Sequence, residues 1–239
     1  MKTRGTWPGP ISMRRGWSMA TARPWNDQSS DAHLRLIRGN AEFLREAARA
    51  IPVGNGLILS PPLAAGSTSM WEEAGFRPHL VLDMFQRDLL ARQASPSIPV
   101  VAGEEGEWER AVEIDSAAFE PLWRLGSAGL KEALNATPTS AFLTVRSDNG
   151  TTTGFAIVGA GGSTGYLQRV AVDPARVRQG FGRALVRASL GWARSRGCRT
   201  MLLNTQPDNV PAGRLYEEEG FTRVTAGLVI WCLQPQREP

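Results

Sequence analysis

Apolar and polar positions change period several times along the 239 residues, and each change marks a different element. From Asp31 to Ala50, Leu34, Ile37, Ala41, Leu44 and Ala48 recur at helical spacing among charged residues. That spacing predicts a helix with one apolar face. Gly56 to Leu59, Leu80 to Phe85 and Pro99 to Ala102 are short apolar runs of strand type. Helices are expected over Glu107 to Trp123 and Ala128 to Leu134. Ala141 to Arg146 and Gly154 to Gly159 flank Asp148-Asn149-Gly150, a turn signal that joins two strands into a hairpin. A strand over Tyr166 to Val172, a long amphipathic helix, a strand over Thr200 to Asn204, a helix over Asn209 to Glu219 and a strand over Val224 to Cys232 follow. The expected class is α/β, a mixed central sheet flanked by helices.

Composition changes this picture at one end. The formal net charge of +4 sits entirely in residues 1–30, where five Lys/Arg face one Asp. The rest carries 22 basic and 22 acidic side chains, which argues against a general nucleic-acid face. Residues 1–30 are rich in Gly, Pro, Ser and Arg without a period, and are expected to be a disordered basic tail. Nucleic acid is expected only through that tail. It carries Trp7, Trp17 and Trp25, and Met13 and Met19 are alternative starts. It has no apolar run of signal-peptide type, and no stretch reaches the roughly 18 apolar residues of a membrane span. Cys198 and Cys232 read as reduced core thiols of a cytoplasmic protein. His33 and His79 have no spacing to a metal partner, so no metal is expected.

The chemistry concentrates between Gly165 and Phe221. Arg178-Gln179-Gly180-Phe181-Gly182-Arg183 opens the long helix. Glycines at a helix start let backbone N–H groups and the positive end of the helix dipole approach a pyrophosphate. Two other phosphate motifs are excluded: Leu185 stands where a dinucleotide fingerprint needs its third glycine, and no Gly-Lys-Ser/Thr occurs. Asn209 and Tyr216, seven residues apart, would project from one side of a helix ahead of Gly220-Phe221.

In this order and spacing the segment resembles the acetyl-CoA site of the GNAT superfamily of N-acyltransferases. The resemblance implies that Val170, Ala171 and Val172 hold the thioester carbonyl by their main chain. Arg178, Gln179, Gly180, Phe181, Gly182 and Arg183 would bind the pyrophosphate, Asn209 the cofactor, and Tyr216 would protonate the departing thiolate. Acetyl-CoA is thus the expected cosubstrate and an amine the acceptor: a peptide or protein N-terminus, or a small amine. Two departures stand out. One branch of the family carries a Glu base five residues before the conserved Asn, where this chain has Asn204. The base is then a water chain touching Asn204 or Gln168, or a carboxylate such as Asp115 or Glu120. Val177 and Arg178 replace the usual Gln/Arg and Gly of the phosphate loop. Arg183, Arg187 and Arg194 are either a solvated face or contacts to the nucleotide 3′-phosphate.

Trp71-Glu72-Glu73-Ala74-Gly75-Phe76 matches Tyr216-Glu217-Glu218-Glu219-Gly220-Phe221. We therefore expect a degenerate half-GNAT segment over 31–92, resembling tandem members of the family, a linker over 93–98 and the catalytic domain over 99–239. The acceptor wall would be Phe119 to Arg124 with residues 223–231, in a monomer or homodimer. The alternative function is a catalytically inactive acyl-CoA-binding module with a regulatory or interaction role.

Overall fold

The computed structural model describes residues 1–90 and 93–234. The chain divides into two compact units, Met1–Leu82 with the chain from Ala226, and Asp83–Thr225. These boundaries fall inside two strands rather than at the expected 93–98 linker. The ends of the expected segments at 91–92 and 235–239 lie outside the described residues.

In the first unit, β1 (Lys2–Arg4), β2 (Ile11–Arg15), β3 (Ser18–Pro24) and β4 (Ala32–Arg38) form an antiparallel meander. The tail expected to be disordered is thus half strand, in three of the four strands of this meander. Its alternation was hard to read because the inward positions include Ala20 and Ala22, small residues with weak strand preference, beside Ile11 and Met13. The helix expected from Asp31 starts later: Ala32 and Leu34 are inward positions of β4, and α1 runs over Ala41–Arg49. Gly39, at φ 144°, turns the chain, and Asn40 caps α1 by accepting from the Phe43 N–H at 2.9 Å. Phe43, Leu44, Ala47 and Ala48 pack on the inner sheet face. β5 (Ile58–Leu59) pairs parallel with β4 and antiparallel with Cys232 and Leu233. β6 (Leu63–Ala64) pairs with Leu228 and Val229, and α2 (Ser69–Glu73) precedes β7 (Arg77–Asp88).

The second unit is built on β8 (Val100–Ala102), β9 (Thr139–Arg146), β10 (Thr152–Gly161), β11 (Thr164–Val172) and β12 (Thr200–Thr205). Their order is β8-β9-β10-β11-β12, closed by residues 83–88 of β7, antiparallel except for β11–β12. The strand expected to finish the half copy therefore completes this sheet instead. α3 (Trp108–Ala118) and α4 (Ser127–Asn135) pack with Phe142, Phe155 and Ile157 on one face. α5 (Phe181–Ser195) and α6 (Val210–Glu218) cover the other with Leu185, Leu190, Leu203 and Tyr216. α3 is shorter than expected, because Phe119 takes extended angles and Pro121–Trp123 form a separate 3-10 turn. The last strand, β13 (Thr222–Leu233), enters this unit only as far as Thr225, where the Thr222 hydroxyl donates to Gln86 O at 3.2 Å.

Candidate active site

The site begins where two parallel strands part. β11 and β12 pair only at Thr164–Thr200, Gly165–Met201 and Tyr166–Leu202. Beyond Tyr166, β11 keeps its β10 partner as far as Val172 but has lost β12. The β10–β11 register shifts at Ile157/Val158, where Gln168 is the extra residue. A bulge bends a strand and increases its twist, which is the local cause of the divergence. The β12-facing backbone edge of 167–172 consequently has no strand partner. Val170 and Val172 pack toward α5, and Ala171 toward α3.

β11 leads into a tight loop. The Asp173 carboxylate accepts the Ala175 N–H at 3.0 Å and an Arg110 contact at 2.5 Å, anchoring the turn Pro174–Arg176 to α3. Arg178 (φ 65°) and Gly180 (φ 89°) then adopt left-handed angles before α5 starts. For Arg178 that conformation costs about 1–2 kcal/mol, a strain that glycine avoids. No side chain caps α5, and among the described residues the N–H groups of 180–183 have no protein acceptor. They point with the helix dipole out of the loop. A Cβ on Gly182 would meet only Leu215 and Val172 carbons at 3.5 and 3.8 Å, ordinary contact. Protein packing does not require glycine there.

α6 brings in the phenol. Asn209 is not a helix-face neighbour of Tyr216, as the spacing suggested. It is the N-cap, accepting from the Ala212 N–H at 3.4 Å. Tyr216 is 8% exposed, with Phe85 at 5.9 Å and Phe221 at 5.8 Å between ring centroids. Burial pushes its hydroxyl up to about 12, and the Arg169 charge pulls the other way. At neutral pH it is a protonated donor.

Arg169 is the residue that sequence reasoning missed. It projects from β11 onto α3, where Nε and Nη2 donate to the Asp115 carboxylate at 2.6 and 2.8 Å. Nη2 also donates to Trp123 O at 2.7 Å, and the guanidinium carbon lies 3.6 Å from the Phe119 ring centroid. Asp115, fully buried, further accepts the Leu125 N–H at 2.6 Å. Its oxygens are committed, so Asp115 is withdrawn as a base. A cation directly before the apolar run Val170-Ala171-Val172 was the available signal. Asn204 is exposed on β12 opposite Met84, Glu120 is exposed, and the Gln168 Nε2 is buried without a partner. Arg187 pairs with Glu219 at 2.8 and 3.0 Å and Arg183 with Glu218, binding α5 to the end of α6.

Residues 108–221 match the model of the acetyltransferase (GNAT) family. This segment has the GNAT fold. A mycothiol acetyltransferase of Thermobispora bispora is 44% identical over 71 residues, 30% of this chain and 24% of that relative. An Escherichia coli [ribosomal protein bS18]-alanine N-acetyltransferase is 38% identical over 77 residues, 32% of this chain and 52% of its own. The chain thus spans about a quarter of the first relative and half of the second. A tandem GNAT protein from the clavulanic acid biosynthesis pathway shares the fold at TM-score 0.67 and 14% identity, covering 96% of this chain and 83% of its own.

A groove at the end of β12 is lined by Asp83, Thr205, Gln206, Asn209, Gly213 and Arg223. Arg223 and Asp83 pair across it at 2.9 Å. Of the expected acceptor wall, Phe119 and Trp123 are held by Arg169, and Arg223 faces this groove. Among the described residues, no group of three His, Cys, Asp or Glu is placed to hold a metal ion, and no helix is long and apolar enough to cross a membrane.

Proposed function

We propose that the chain is an acetyl-CoA-dependent N-acetyltransferase acting on a primary amine, a peptide or protein N-terminus or a small amine. The observation that carries this reading is the unpaired β11 edge, flanked by the uncapped start of α5 and by Tyr216. The amides of Arg178, Gln179, Gly180, Phe181, Gly182 and Arg183 suit a pyrophosphate. That Gly182 is not required by packing supports a close-approaching ligand. The cosubstrate supplies an activated acyl carbon on a thioester sulfur. The main chain of Val170, Ala171 and Val172 offers N–H groups to the oxyanion as the amine nitrogen bonds to that carbon. The carbon–sulfur bond breaks, and Tyr216 gives its proton to the thiolate. The amine proton leaves through water at Asn204 or Gln168, or to Glu120, since Asp115 is engaged. Asn209 serves through its cap, fixing the start of α6 beside the cofactor.

We also infer that 31–92 is a degenerate half repeat. Its Trp71–Phe76 corner supports this, while it lacks the glycine loop. Asn204 in place of a base favours one second reading, an inactive acyl-CoA-binding module.

Titration calorimetry of acetyl-CoA against wild type and Gly182→Val tests the site. Micromolar binding lost in a variant with unchanged circular dichroism is the expected result. No binding by wild type overturns both readings. Binding without CoA release across an amine and peptide panel leaves the inactive module.

A further inference from the structure

The strand register of the first unit sorts its charges onto one side. Lys2, Arg14, Met19 and Arg38 oppose one another across β1–β4, as do Arg4, Ser12, Thr21 and Arg35, and Arg23 faces His33. Neighbouring cross-strand partners point to the same face of a sheet. The outer face therefore carries six cations, Lys2, Arg4, Arg14, Arg23, Arg35 and Arg38, and no carboxylate at these register positions. The opposite face, with Ile11, Met13, Ala20, Ala22 and Leu34, is the core under α1.

Three acids of this unit have partners within the protein. Glu42 and Glu46 of α1 pair with Arg15 at 3.1 and 2.7 Å, and Asp31 accepts from Ser29 and the Leu57 N–H. Lys2, Arg4, Arg14 and Arg35 are exposed. At the end of the β2–β3 hairpin, Trp17 is 77% exposed, with the Arg38 guanidinium 4.2 Å from its ring centroid. Burial, then the charges of Arg23 and Arg35, lower His33 to about 4, so the imidazole stays neutral among the arginines.

We propose that the outer face of β1–β4 is a docking surface for single-stranded nucleic acid. The grid, about 4.8 Å across strands and 6.8 Å along them, presents its cations to a phosphate backbone, and Trp17 at its edge offers a stacking surface for a base. Five of the six cations are arginines, whose planar fork matches phosphate oxygens better than an ammonium does. The face lies on residues 2–38 of the first unit, and the proposed acyl-transfer site belongs to the second.

The test is fluorescence anisotropy of a labelled oligouridine titrated with the full chain over a salt series. Arg23 is held by the Pro24 and Trp25 carbonyls, so five phosphate contacts on a single strand give a slope of log affinity against log salt of about −3.5. Arg14→Glu/Arg35→Glu is expected to lower affinity at least tenfold and flatten that slope. Trp17→Ala is expected to lower affinity about fivefold or more with the slope unchanged. Because Lys2 and Arg4 are exposed edge positions, Lys2→Gln/Arg4→Gln replaces the reversal if the latter melts early. Absence of binding at low salt overturns the proposal. So does binding that survives both charge variants, or capture by phosphatidylserine vesicles without oligouridine binding.

Discussion

The corner Trp71–Phe76 and the corner Tyr216–Phe221 are built alike and surrounded differently. In each, the Phe N–H donates to the aromatic residue's carbonyl, at 3.0 and 2.9 Å, over a glycine at φ 97° and 80°. In each, the two rings meet edge to face, at 4.8 and 5.8 Å. This is a helix C-terminal motif that needs a glycine and two apolar side chains, and nothing else. Trp71 ends a five-residue helix without a side-chain cap and packs into the core of its unit. Tyr216 ends a nine-residue helix capped by Asn209, beside a strand with an unpaired edge and a second helix with an uncapped start. The same local code gives packing in one place and, on the proposed reading, an acid in the other. The glycine loop and the divergent strands make the difference.

The sharpest way to break this comparison is to remove the phenol. Tyr216→Phe should lower kcat about a hundredfold or more and leave acetyl-CoA affinity unchanged, measured by CoA release and calorimetry. Trp71→Phe should leave kcat alone, and equal effects would erase the distinction. Next comes the ion pair specific to the second unit. Arg169→Met strands the Asp115 carboxylate in the core and should cost about 3–5 kcal/mol in urea unfolding. Because Arg169 also holds Phe119 and Trp123 of the expected acceptor wall, Arg169→Met should raise acceptor KM, and Arg169→Met/Asp115→Leu should recover most of the stability but not the KM. Recovery of KM as well would reduce the pair to a structural role.

The first unit offers its own titration. His33 is lowered in the folded state, so its contribution is complete above the unfolded value of 6.5 and disappears as pH falls through about 4. Wild type should lose up to about 3 kcal/mol more than His33→Gln across that window, followed by unfolding midpoints at each pH. The smallest effect is shared. Gly75→Ala and Gly220→Ala should each cost about 1–2 kcal/mol, because both angles are left-handed. Unequal losses would mean that the corners are not equivalent.

These contrasts show which signals are legible in a chain. Gly180, Gly182 and Tyr216 are placed by short-range rules of turns and helix ends, so they were readable, whereas Asn209 was read as a helix-face residue and is the cap of α6. The same holds for the hairpin at Asp148-Asn149-Gly150. Residues 1–24 were not, because half of their inward positions are alanines and their partners lie on other strands. Leu34 sat in a helical pattern, yet alternates in β4 because pairing with β3 outweighs local spacing.

By itself the sequence determined the strand and helix order of the second unit, the glycine turn ahead of α5 and the aromatic corner, since backbone preferences act within a few residues. Only the tertiary structure decided that β11 leaves β12 after Tyr166, that residues 83–88 complete that sheet, and that Asp115 is held by Arg169, 54 residues away. Each of those depends on which distant segments share a sheet edge or a buried charge. That choice is settled by burial and pairing across the fold, not by any local run of residues.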